Sequence, residues 1–391
     1  MKLLVVNYEY PPIGGGGGFV TRDIIENIVE RGHGVTVITS QYNDLRKHET
    51  INGVDIIRVP VCCRKQMESA NLISMLSYLP SSIIKSIVDF DSKTFDIINT
   101  HFAIPSGPSG WILSKMFCLP NVLSIHGGDI FDPSKSLSPH NTPVLSDTVR
   151  LMLKTADRVV AQSSNTKSNA ARYYKVDRQI DIIPLGIKKP VFERKRRADF
   201  GLSEDDFIFC TIGRLVKRKN IDETLQMLSG LDQDLRVKLL VMGDGPQYAH
   251  ISNLAKQLSL HDKVVMLGNV SDEMKFQLLS VSDCYISTAM HEGFGLVFLE
   301  AMECGLPVIC YDFGGQTDFL INGKTGFLVE LGNMQKLHQR VIETMNDREM
   351  RGKMGNFNRQ LVCNFYIERC ADQYITLFEQ LIHDSVNPNV A

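Results

Sequence analysis

Short apolar runs alternate with segments of helical spacing from one end of the chain to the other. Runs of branched and aromatic residues that stop after a few positions are typical of buried strands, and this alternation predicts an α/β fold with parallel sheets wrapped by helices. In the first half, the predicted strands are Leu3–Val6, Val35–Thr39, Ile56–Val59, Asp96–Asn99, Val122–Ile125, Arg158–Ala161 and Asp181–Ile183.

The second half repeats this rhythm after a break rich in proline and glycine. Its predicted strands are Phe207–Ile212, Lys238–Met242, Val264–Leu267, Cys284–Ser287, Val308–Cys310 and Gly326–Val329. We interpret the break at Pro184–Pro190 as a linker between two doubly wound domains, residues 1–187 and 188–367. Ligands of open α/β sheets bind outside the carboxyl ends of the strands, so we expect the chemistry in a cleft between the domains.

The composition excludes several classes of protein and leaves the predicted fold unchanged. A chain of 391 residues is longer than one hydrophobic core usually supports, which fits two domains. Its content of 43% hydrophobic residues is ordinary for a globular protein. A net charge of -2 argues against a nucleic-acid partner. The nine cysteines show no C-x-x-C spacing, which disfavours a zinc site and fits a reducing cytoplasm. No apolar run is long enough to span a membrane, so any membrane contact is expected to be peripheral.

A run of five glycines, Gly14–Gly18, follows the first predicted strand and precedes a helix expected to begin near Val20. Residues without Cβ let backbone N–H groups close around an anion, and a helix amino terminus favours negative charge. The run has neither the G-x-G-x-x-G order of dinucleotide sites nor the G-K-[ST] ending of the P-loop. From this run alone, a phosphate-binding loop and a flexible turn both stay open.

Two basic residues, Arg214 and Lys219, lie just beyond the first strand of the second domain, Phe207–Ile212. Fixed cations at the carboxyl end of a strand can hold a diphosphate leaving group without a metal ion. A solvated surface is the ordinary alternative for a charge run. The position at a strand end favours the phosphate interpretation.

Two glutamates, Glu292 and Glu300, flank the entrance to a helix predicted to begin at Leu296. Gly293 and Gly295 free the backbone amides at this entrance, where an anion would bind. An ionised carboxylate accepts two hydroxyl hydrogen bonds, so Glu300 suits a ribose diol and Glu292 suits sugar hydroxyls. Plain surface charge is the alternative, and the glycine and helix context disfavours it.

Together these segments resemble the retaining glycosyltransferases of family four. The resemblance covers most of the chain and is most specific in the carboxyl-terminal domain. Its motifs are Arg31–Val37, Ser124–Asp129, Gly213–Lys219, Val241–Pro246, Leu267–Gly268, Glu292–Glu300, Gly314–Asp318 and Gly326–Val329. It implies the GT-B fold, in which two Rossmann-like domains face each other across a cleft, with a last helix, about 368–391, that packs back on the first domain.

The resemblance implies a role for each matching residue. Arg214 and Lys219 would hold the diphosphate of a nucleotide diphosphate sugar. Glu292 would bind the hydroxyls of the donor sugar, and His126 would meet that sugar near its reacting face. Glu300 would bind the ribose. Further donor contacts are implied for Gly15, Gly16, Gly17, Gly243, Asn269, Val270, Gly293, Phe294, Gly295, Leu296 and Val297.

The implied chemistry needs no metal and no other cofactor, because protein cations and helix-end amides would stabilise the departing phosphate. We assign no covalent nucleophile. His126 alone fits either a structural or a catalytic role, and its motif favours the second. Two positions depart from the family. Asp318 stands where many relatives have Glu, and Ile367 stands where an aromatic residue is frequent.

The amino-terminal domain is expected to bind the acceptor, a glycan or a lipid-linked molecule of cell-surface polysaccharide or glycoconjugate biosynthesis. The segment Asn71–Phe90 is apolar enough to contact a lipid-linked acceptor or the inner face of a membrane, with a core helix broken at Pro80 as the alternative. His101 and Phe102 are candidate acceptor contacts. UDP- or GDP-sugars are the favoured donors.

Two other classes of protein stay open. A sugar-nucleotide-binding GT-B protein without transferase activity would share the fold, although its cation or carboxylate sets would be degraded, and here both are intact. An epimerase or a phosphorylase of the same architecture is the second alternative. Phosphorylases of this broad fold generally depend on pyridoxal phosphate held by a lysine.

Overall fold

The computed structural model describes residues 1–64, 66–67, 71–134 and 138–386. Contacts between Cα atoms divide the chain into two compact units. The first unit comprises Met1–Lys188 and the chain from Tyr366 onward, and the second comprises Lys189–Phe365. Each unit contains one predominantly parallel sheet surrounded by helices, so the predicted pair of doubly wound α/β domains is confirmed.

The first unit contains an eight-stranded sheet with the order β3-β4-β2-β1-β5-β6-β7-β8. Its strands are β1 (Lys2–Val6), β2 (Gly34–Ser40), β3 (His48–Ile51), β4 (Val54–Val59), β5 (Ile97–His101), β6 (Asn121–Ile125), β7 (Arg158–Ala161) and β8 (Asp181–Ile182). β3 pairs antiparallel with β4, whereas the other pairs are parallel. The sequence pattern missed β3, because this edge strand is mostly polar and exposed.

The centre of this sheet places three loops side by side. Residues 3–6 of β1 are completely buried, as expected for a parallel strand covered by helices on both faces. β1, β5 and β6 are consecutive neighbours and run parallel. The loops that follow these strands therefore meet at one edge of the sheet, where ligands of such folds bind.

Among the described residues, the α-helices that connect the strands of this unit are α1 (Gly16–Glu30), α2 (Leu72–Asp89), α3 (Ser106–Phe117), α4 (Pro143–Thr155) and α5 (Ser164–Tyr174). The expected start of α1 near Val20 is wrong, because three of the five glycines are already helical. Glycine has a low helix propensity, so the sequence indicated a later start. Tertiary packing overrides that propensity here.

Helix α2 has an unusual distribution of side chains. It continues through Pro80, and its buried residues are Ser74, Tyr78, Ser82 and Ser86. Its exposed apolar residues are Leu72, Ile73, Leu76, Ile84, Ile87 and Val88. The alternative of a core helix broken at Pro80 is therefore wrong, since the helix is unbroken and six of its apolar residues are exposed. Across the described ranges, no helix is long and apolar enough to cross a bilayer.

The second unit contains a six-stranded parallel sheet with the order β11-β10-β9-β12-β13-β14. The strands are β9 (Phe207–Ile212), β10 (Val237–Met242), β11 (Val264–Gly268), β12 (Cys284–Ser287), β13 (Val308–Tyr311) and β14 (Gly326–Val329). The helices are α6 (Ile221–Ser229), α7 (Tyr248–Gln257), α8 (Asp272–Val281), α9 (Leu296–Glu303), α10 (Met334–Asn346) and α11 (Arg348–Val362).

The last helix, α12 (Ile367–Val386), belongs to the first unit and packs against α1. Residues 387–391, which the sequence prediction included in this helix, lie outside the described residues. Tyr374 Oη donates a hydrogen bond to Ser124 Oγ at 3.1 Å, and Arg31 pairs with Asp372 at 2.6 Å. The side chain of Phe378 is fully buried. The chain thus returns to the first unit through an apolar helix face.

We predict that Phe378→Ala destabilises the first unit by about 3–5 kcal/mol, the usual cost of emptying a buried aromatic site. The chain has one tryptophan, Trp111 on α3, so its fluorescence reports on the unfolding of this unit. Urea unfolding followed at this residue should have a lower midpoint in the variant. Gln373→Ala, on the exposed side of α12, is the control. An unchanged Phe378→Ala midpoint would contradict the packing described for α12.

Candidate active site

The second unit holds a buried carboxylate between two cations. Glu292 Oε1 lies 2.5 Å from Lys219 Nζ, and Glu292 Oε2 lies 3.0 Å from Arg218 Nη1. Arg218 also donates to the backbone oxygen of His291. The site is close to the backbone of the loop after β9, because a Cβ on Gly213 would lie 2.8 Å from Lys219 Cε. Two residues of the predicted set, Lys219 and Glu292, are thus in direct contact.

The two cations decide the charge of Glu292. Burial acts to raise the pKa of this carboxyl group, but the charges of Lys219 and Arg218 outweigh it and lower the pKa to about 2. Glu292 is therefore an anion at neutral pH. An ionised carboxylate only accepts hydrogen bonds, so the lone pairs that the two cations leave suit the hydroxyl groups of a ligand.

Arg218, rather than Arg214, pairs with Glu292. Arg214 lies on the same loop with an exposed side chain. The sequence prediction gave Arg218 no role, because the spacing along an irregular turn does not show which basic side chain points inward. Arg218 contacts a residue 74 positions away, and no local pattern reveals such a contact.

Glycines bring the ends of three strands into close contact in this unit. Gly243 has a φ of 136°, and its Cβ would lie 2.1 Å from the carbonyl oxygen of Gly213. The Gly243 N–H donates to the oxygen of Gly268 at 2.7 Å. No other residue fits at position 243, since a side chain would meet backbone. Asn269 and Val270 follow directly, the first exposed and the second partly buried.

The entrance to α9 lies beside Glu292. Gly295 is the residue before the helix, with a φ of 94°, and its Cβ would lie 2.4 Å from the Phe298 ring. The Phe294 side chain is buried against the Phe319 ring, so any ligand contact of Phe294 must come from its backbone. Gly293 and the first helical residues, 296 and 297, are partly exposed. Amides of a first helical turn have no partner within the helix and can bind an anion.

Glu300, on the same helix, pairs with a lysine that the sequence prediction missed. Lys275 Nζ lies 2.7 Å from Glu300 Oε1 and 2.9 Å from Asp272 Oδ1. Burial acts to lower the pKa of Lys275, but Glu300 and Asp272 outweigh it and the pKa is raised. Lys275 is therefore a cation. It lies 25 positions before Glu300, and neither spacing nor composition indicates the pair.

The glycine run of the first unit combines open and closed positions. A Cβ on Gly15 or Gly16 would meet nothing within 4 Å, whereas a Cβ on Gly17 would lie 2.5 Å from Phe102 Cζ. Gly15 precedes α1, and no side chain caps this helix. The backbone at the start of α1 is therefore accessible at two glycines and packed against Phe102 at the third.

His101, Phe102 and His126 form one cluster beside these glycines. His101 Nδ1 lies 2.9 Å from His126 Nε2, and the centroids of the Phe102 and His126 rings are 4.4 Å apart. Burial lowers the pKa of His126 to about 4 and that of His101 well below its usual range. Both imidazoles are neutral at neutral pH. The structure thus brings His126 together with both candidate acceptor residues and with Gly17.

The two departures from the family pattern lie in ordinary surroundings. Asp318 is exposed in the short helix Gly315–Asp318. Ile367 is fully buried, and its N–H donates to the oxygen of Ile187 at 3.0 Å. An aliphatic side chain therefore fills the first position of α12. In the part of the chain that the structure describes, no group of three or more His, Cys, Asp or Glu side chains could hold a metal ion.

Comparison with known proteins gives the same result for both halves. Residues 192–361 match the model of the glycosyl transferases group 1, and residues 14–189 match the model of Glycosyltransferase Family 4. The chain is 27% identical over 400 residues to N-acetyl-alpha-D-glucosaminyl L-malate synthase of Bacillus anthracis, with 100% of each chain covered.

Solved structures share the fold. Sucrose-phosphate synthase from Thermosynechococcus elongatus has a TM-score of 0.85 at 23% identity, covering 98% of this chain and 99% of that one. HepE of Anabaena, in complex with UDP-glucose, has a TM-score of 0.77 at 19% identity, covering 97% and 100%. At these identities the likeness establishes the fold alone.

We predict that Glu292→Gln removes a pH-dependent part of the stability of the second unit. The folded pKa of about 2 is below the usual value of 4.5 for this group, so this contribution is complete above about pH 4.5 and is lost as the pH falls toward 2. The shift corresponds to about 3 kcal/mol. Urea unfolding followed by circular dichroism should show a gap between wild type and variant at pH 7 that narrows below pH 4.5.

The exposed Glu330→Gln variant is the control, and its stability should follow wild type throughout. A gap between wild type and Glu292→Gln that stays constant down to pH 3 would contradict the ion-pair account.

Proposed function

We infer from the two family models that the chain belongs to the glycosyl transferases group 1, with the GT-B fold, and on this premise we propose the reaction that it catalyses. The proposed reaction moves a hexose-type sugar from a nucleotide diphosphate sugar to a hydroxyl group, with retention of configuration and without a metal ion. The observation that carries the proposal is the ionised Glu292 held by Lys219 and Arg218 at the entrance to α9.

Lys219 is proposed to bind the donor diphosphate and the sugar-binding carboxylate at the same time. An ammonium group has three donors, and one of them reaches Glu292, which leaves two for phosphate oxygens. Arg218 is engaged by Glu292 and His291, so it holds the carboxylate in place. The exposed Arg214 supplies the second phosphate cation, and the amides at the start of α9 complete the anion site.

The catalytic effect would come mainly from stabilising the leaving group. As the bond to the anomeric carbon breaks, negative charge grows on the diphosphate, where fixed cations and helix-end amides are already placed. Positive charge grows on the sugar, and the acceptor hydroxyl attacks from the same face while its proton passes to an oxygen of the departing diphosphate. We assign no covalent nucleophile. Glu300 would bind the ribose diol, with Lys275 holding its carboxylate.

A UDP-sugar is the favoured donor, with a GDP-sugar second. The Anabaena neighbour was solved with UDP-glucose, which supports this order. In addition, the backbones of Gly243 and Gly268 are hydrogen-bonded next to Asn269 and Val270. The resemblance places the nucleotide base near these strand ends. The alternative of a binding protein without transferase activity is disfavoured, because both the cation and the carboxylate sets are present and paired.

A glycan or lipid-linked acceptor is proposed, with the protein in the cytoplasm or at the inner face of the membrane. The exposed apolar residues of α2 support a lipid-linked acceptor, because such residues favour an apolar environment over water. The Bacillus anthracis relative is named for a product of malate, a small soluble molecule. Transfer only to a soluble metabolite, with lipid-linked sugars ignored, would overturn this acceptor proposal.

We predict that one family of nucleotide sugars raises the melting temperature of the protein in the presence of a chelator, because ligands that bind only the folded state stabilise it. At a concentration of about 100 Kd the stabilisation is about 2.7 kcal/mol. Screening UDP-, GDP-, ADP- and dTDP-sugars by thermal shift names the donor. The shift should be lost in Arg214→Ala and Glu300→Ala. Its persistence in both variants would contradict the proposed donor site.

We predict that Lys219→Ala lowers kcat by about 100-fold, the usual cost of removing one group that stabilises a leaving anion. Release of the nucleoside diphosphate from the donor, followed in chelator, measures this. Lys217→Ala is the matched control, because Lys217 lies in the same short turn with an exposed side chain. Equal rates for the two variants would argue against a leaving-group role for Lys219.

A further inference from the structure

Two cysteines lie side by side in the loop after β4, and the proposed reaction uses neither. Cys62 and Cys63 are both exposed and both unbridged. The other exposed cysteines, Cys118 and Cys363, each have no neighbouring cysteine in the sequence. Adjacent exposed thiols can react in succession with one molecule of a disulfide, which a single thiol cannot do. This pair is therefore a candidate site of thiol chemistry.

The amino-terminal end of α2 holds the backbone of this pair from both sides. The Cys62 N–H donates to Ser77 Oγ at 2.8 Å, and Asn71 Nδ2 donates to the oxygen of Cys63. Cys63 has a φ of 57°, in the left-handed region that residues with a side chain rarely adopt. Such a backbone angle persists only where the surrounding contacts impose it. The two thiols are therefore presented to solvent on a segment that its neighbours hold in place.

The next residue connects the pair to the glycine run. Arg64 Nη2 donates to the oxygen of Met67 at 3.0 Å, and the guanidinium carbon of Arg64 lies 4.9 Å from the centroid of the Tyr8 ring. The same oxygen of Met67 accepts from the Gly14 N–H at 3.0 Å. A displacement of Arg64 therefore acts on the segment that precedes α1.

The other side of the pair leads to the cap of α2. Asn71 Oδ1 accepts from the Ser74 N–H at 2.8 Å, so one side chain both caps the helix and holds the oxygen of Cys63. Ser74 Oγ in turn accepts from Tyr8 Oη at 2.7 Å. A change in the backbone at Cys63 therefore acts on the helix cap as well as on the glycine run.

We propose that Cys62 and Cys63 are a reversible oxidation site, at which a low-molecular-weight disulfide closes a disulfide bond between the two neighbouring residues. One cysteine attacks the small disulfide, forms a mixed disulfide with it and releases one thiol. The second cysteine then attacks the protein sulfur of the mixed disulfide and releases the second thiol. The S–S bond of the oxidant is broken, one S–S bond forms in the protein, and the two cysteine protons go to the released thiols.

The geometry of neighbouring residues makes this disulfide labile. The peptide between them is trans, which sets their Cα atoms about 3.8 Å apart. In ordinary disulfides the Cα atoms are about 4.4–6.8 Å apart, so the closed ring is strained. Strained and exposed disulfides are the most easily reduced. The pair is therefore expected to be a dithiol under reducing conditions and to close when oxidised small thiols accumulate.

Peptide mass spectrometry after treatment with glutathione disulfide tests the site. The remaining thiols are alkylated, and trypsin releases both cysteines in one peptide, Val59–Arg64. The wild-type peptide should be two hydrogen atoms lighter than its reduced form and carry no adduct, and dithiothreitol should reverse the change. Cys62→Ser and Cys63→Ser should each carry one glutathione, because no second thiol resolves the mixed disulfide.

Cys118→Ser is the matched control, because Cys118 is an exposed cysteine of the same unit with a similar φ of 53° and no neighbouring thiol. This variant should form the bond between Cys62 and Cys63 as the wild type does. A wild-type peptide that carries glutathione, or that has both thiols alkylated, would overturn the proposal.

Hydrogen exchange tests the connection to the glycine run. With the disulfide closed, the amides of residues 13–19 should exchange about fivefold faster, the effect of losing about one hydrogen bond. The double variant Cys62→Ser with Cys63→Ser, treated in the same way, should show no change. Equal exchange in the reduced and oxidised wild type would overturn the connection.

The effect on sugar transfer rests on the proposed function, whereas the oxidation site does not. Because the glycine run is an expected donor contact, oxidation should lower the rate of transfer about fivefold, and dithiothreitol should restore it. Equal rates in the two states would overturn this consequence. If neither the reduced nor the oxidised protein transfers sugar, the proposed function fails, while mass spectrometry and hydrogen exchange still decide the oxidation site.

Discussion

The pairing of Glu292 with Lys219 and Arg218 is the constraint on which the rest of the candidate site depends. A carboxylate with so little access to water is tolerated only because two cations compensate it. The same contacts fix Lys219 beside Gly213, where a side chain would collide with it, and keep the loop after β9 against the segment before α9. The proposed anion site and the proposed sugar site therefore share one set of ion pairs.

Glycine residues shape both units as much as the charged residues do. Gly243 brings its strand end against Gly213, and Gly17 leaves room for the Phe102 ring. A Cβ on Gly15 or Gly16 would meet nothing within 4 Å, which leaves space for a ligand beside the start of α1. Glycine in these positions costs helix or strand stability. This loss of stability is expected at sites where the backbone must approach a substrate closely.

The fold was largely predictable, whereas the pairing of site residues was only partly so. Buried parallel strands are apolar on both faces and stand out in the sequence, and only the polar edge strand β3 escaped. The start of α1 was predicted too late, because glycine has a low helix propensity and yet three glycines form the first turn of this helix. Arg218 and Lys275 were missed, since each contacts a residue that is distant along the chain. Motif order singled out Glu292, Glu300 and His126 as candidates, whereas the side chains that contact them are seen only in the structure.

The most direct test of the account is the anomeric configuration of the sugar that the protein releases when water replaces the acceptor. The donor found by thermal shift is incubated with the protein and a chelator, and ¹H NMR follows the first turnovers, before the free sugar equilibrates. The account predicts that the first anomer to appear has the configuration of the donor. Appearance of the opposite anomer first, or release only after a divalent metal is added, would contradict it.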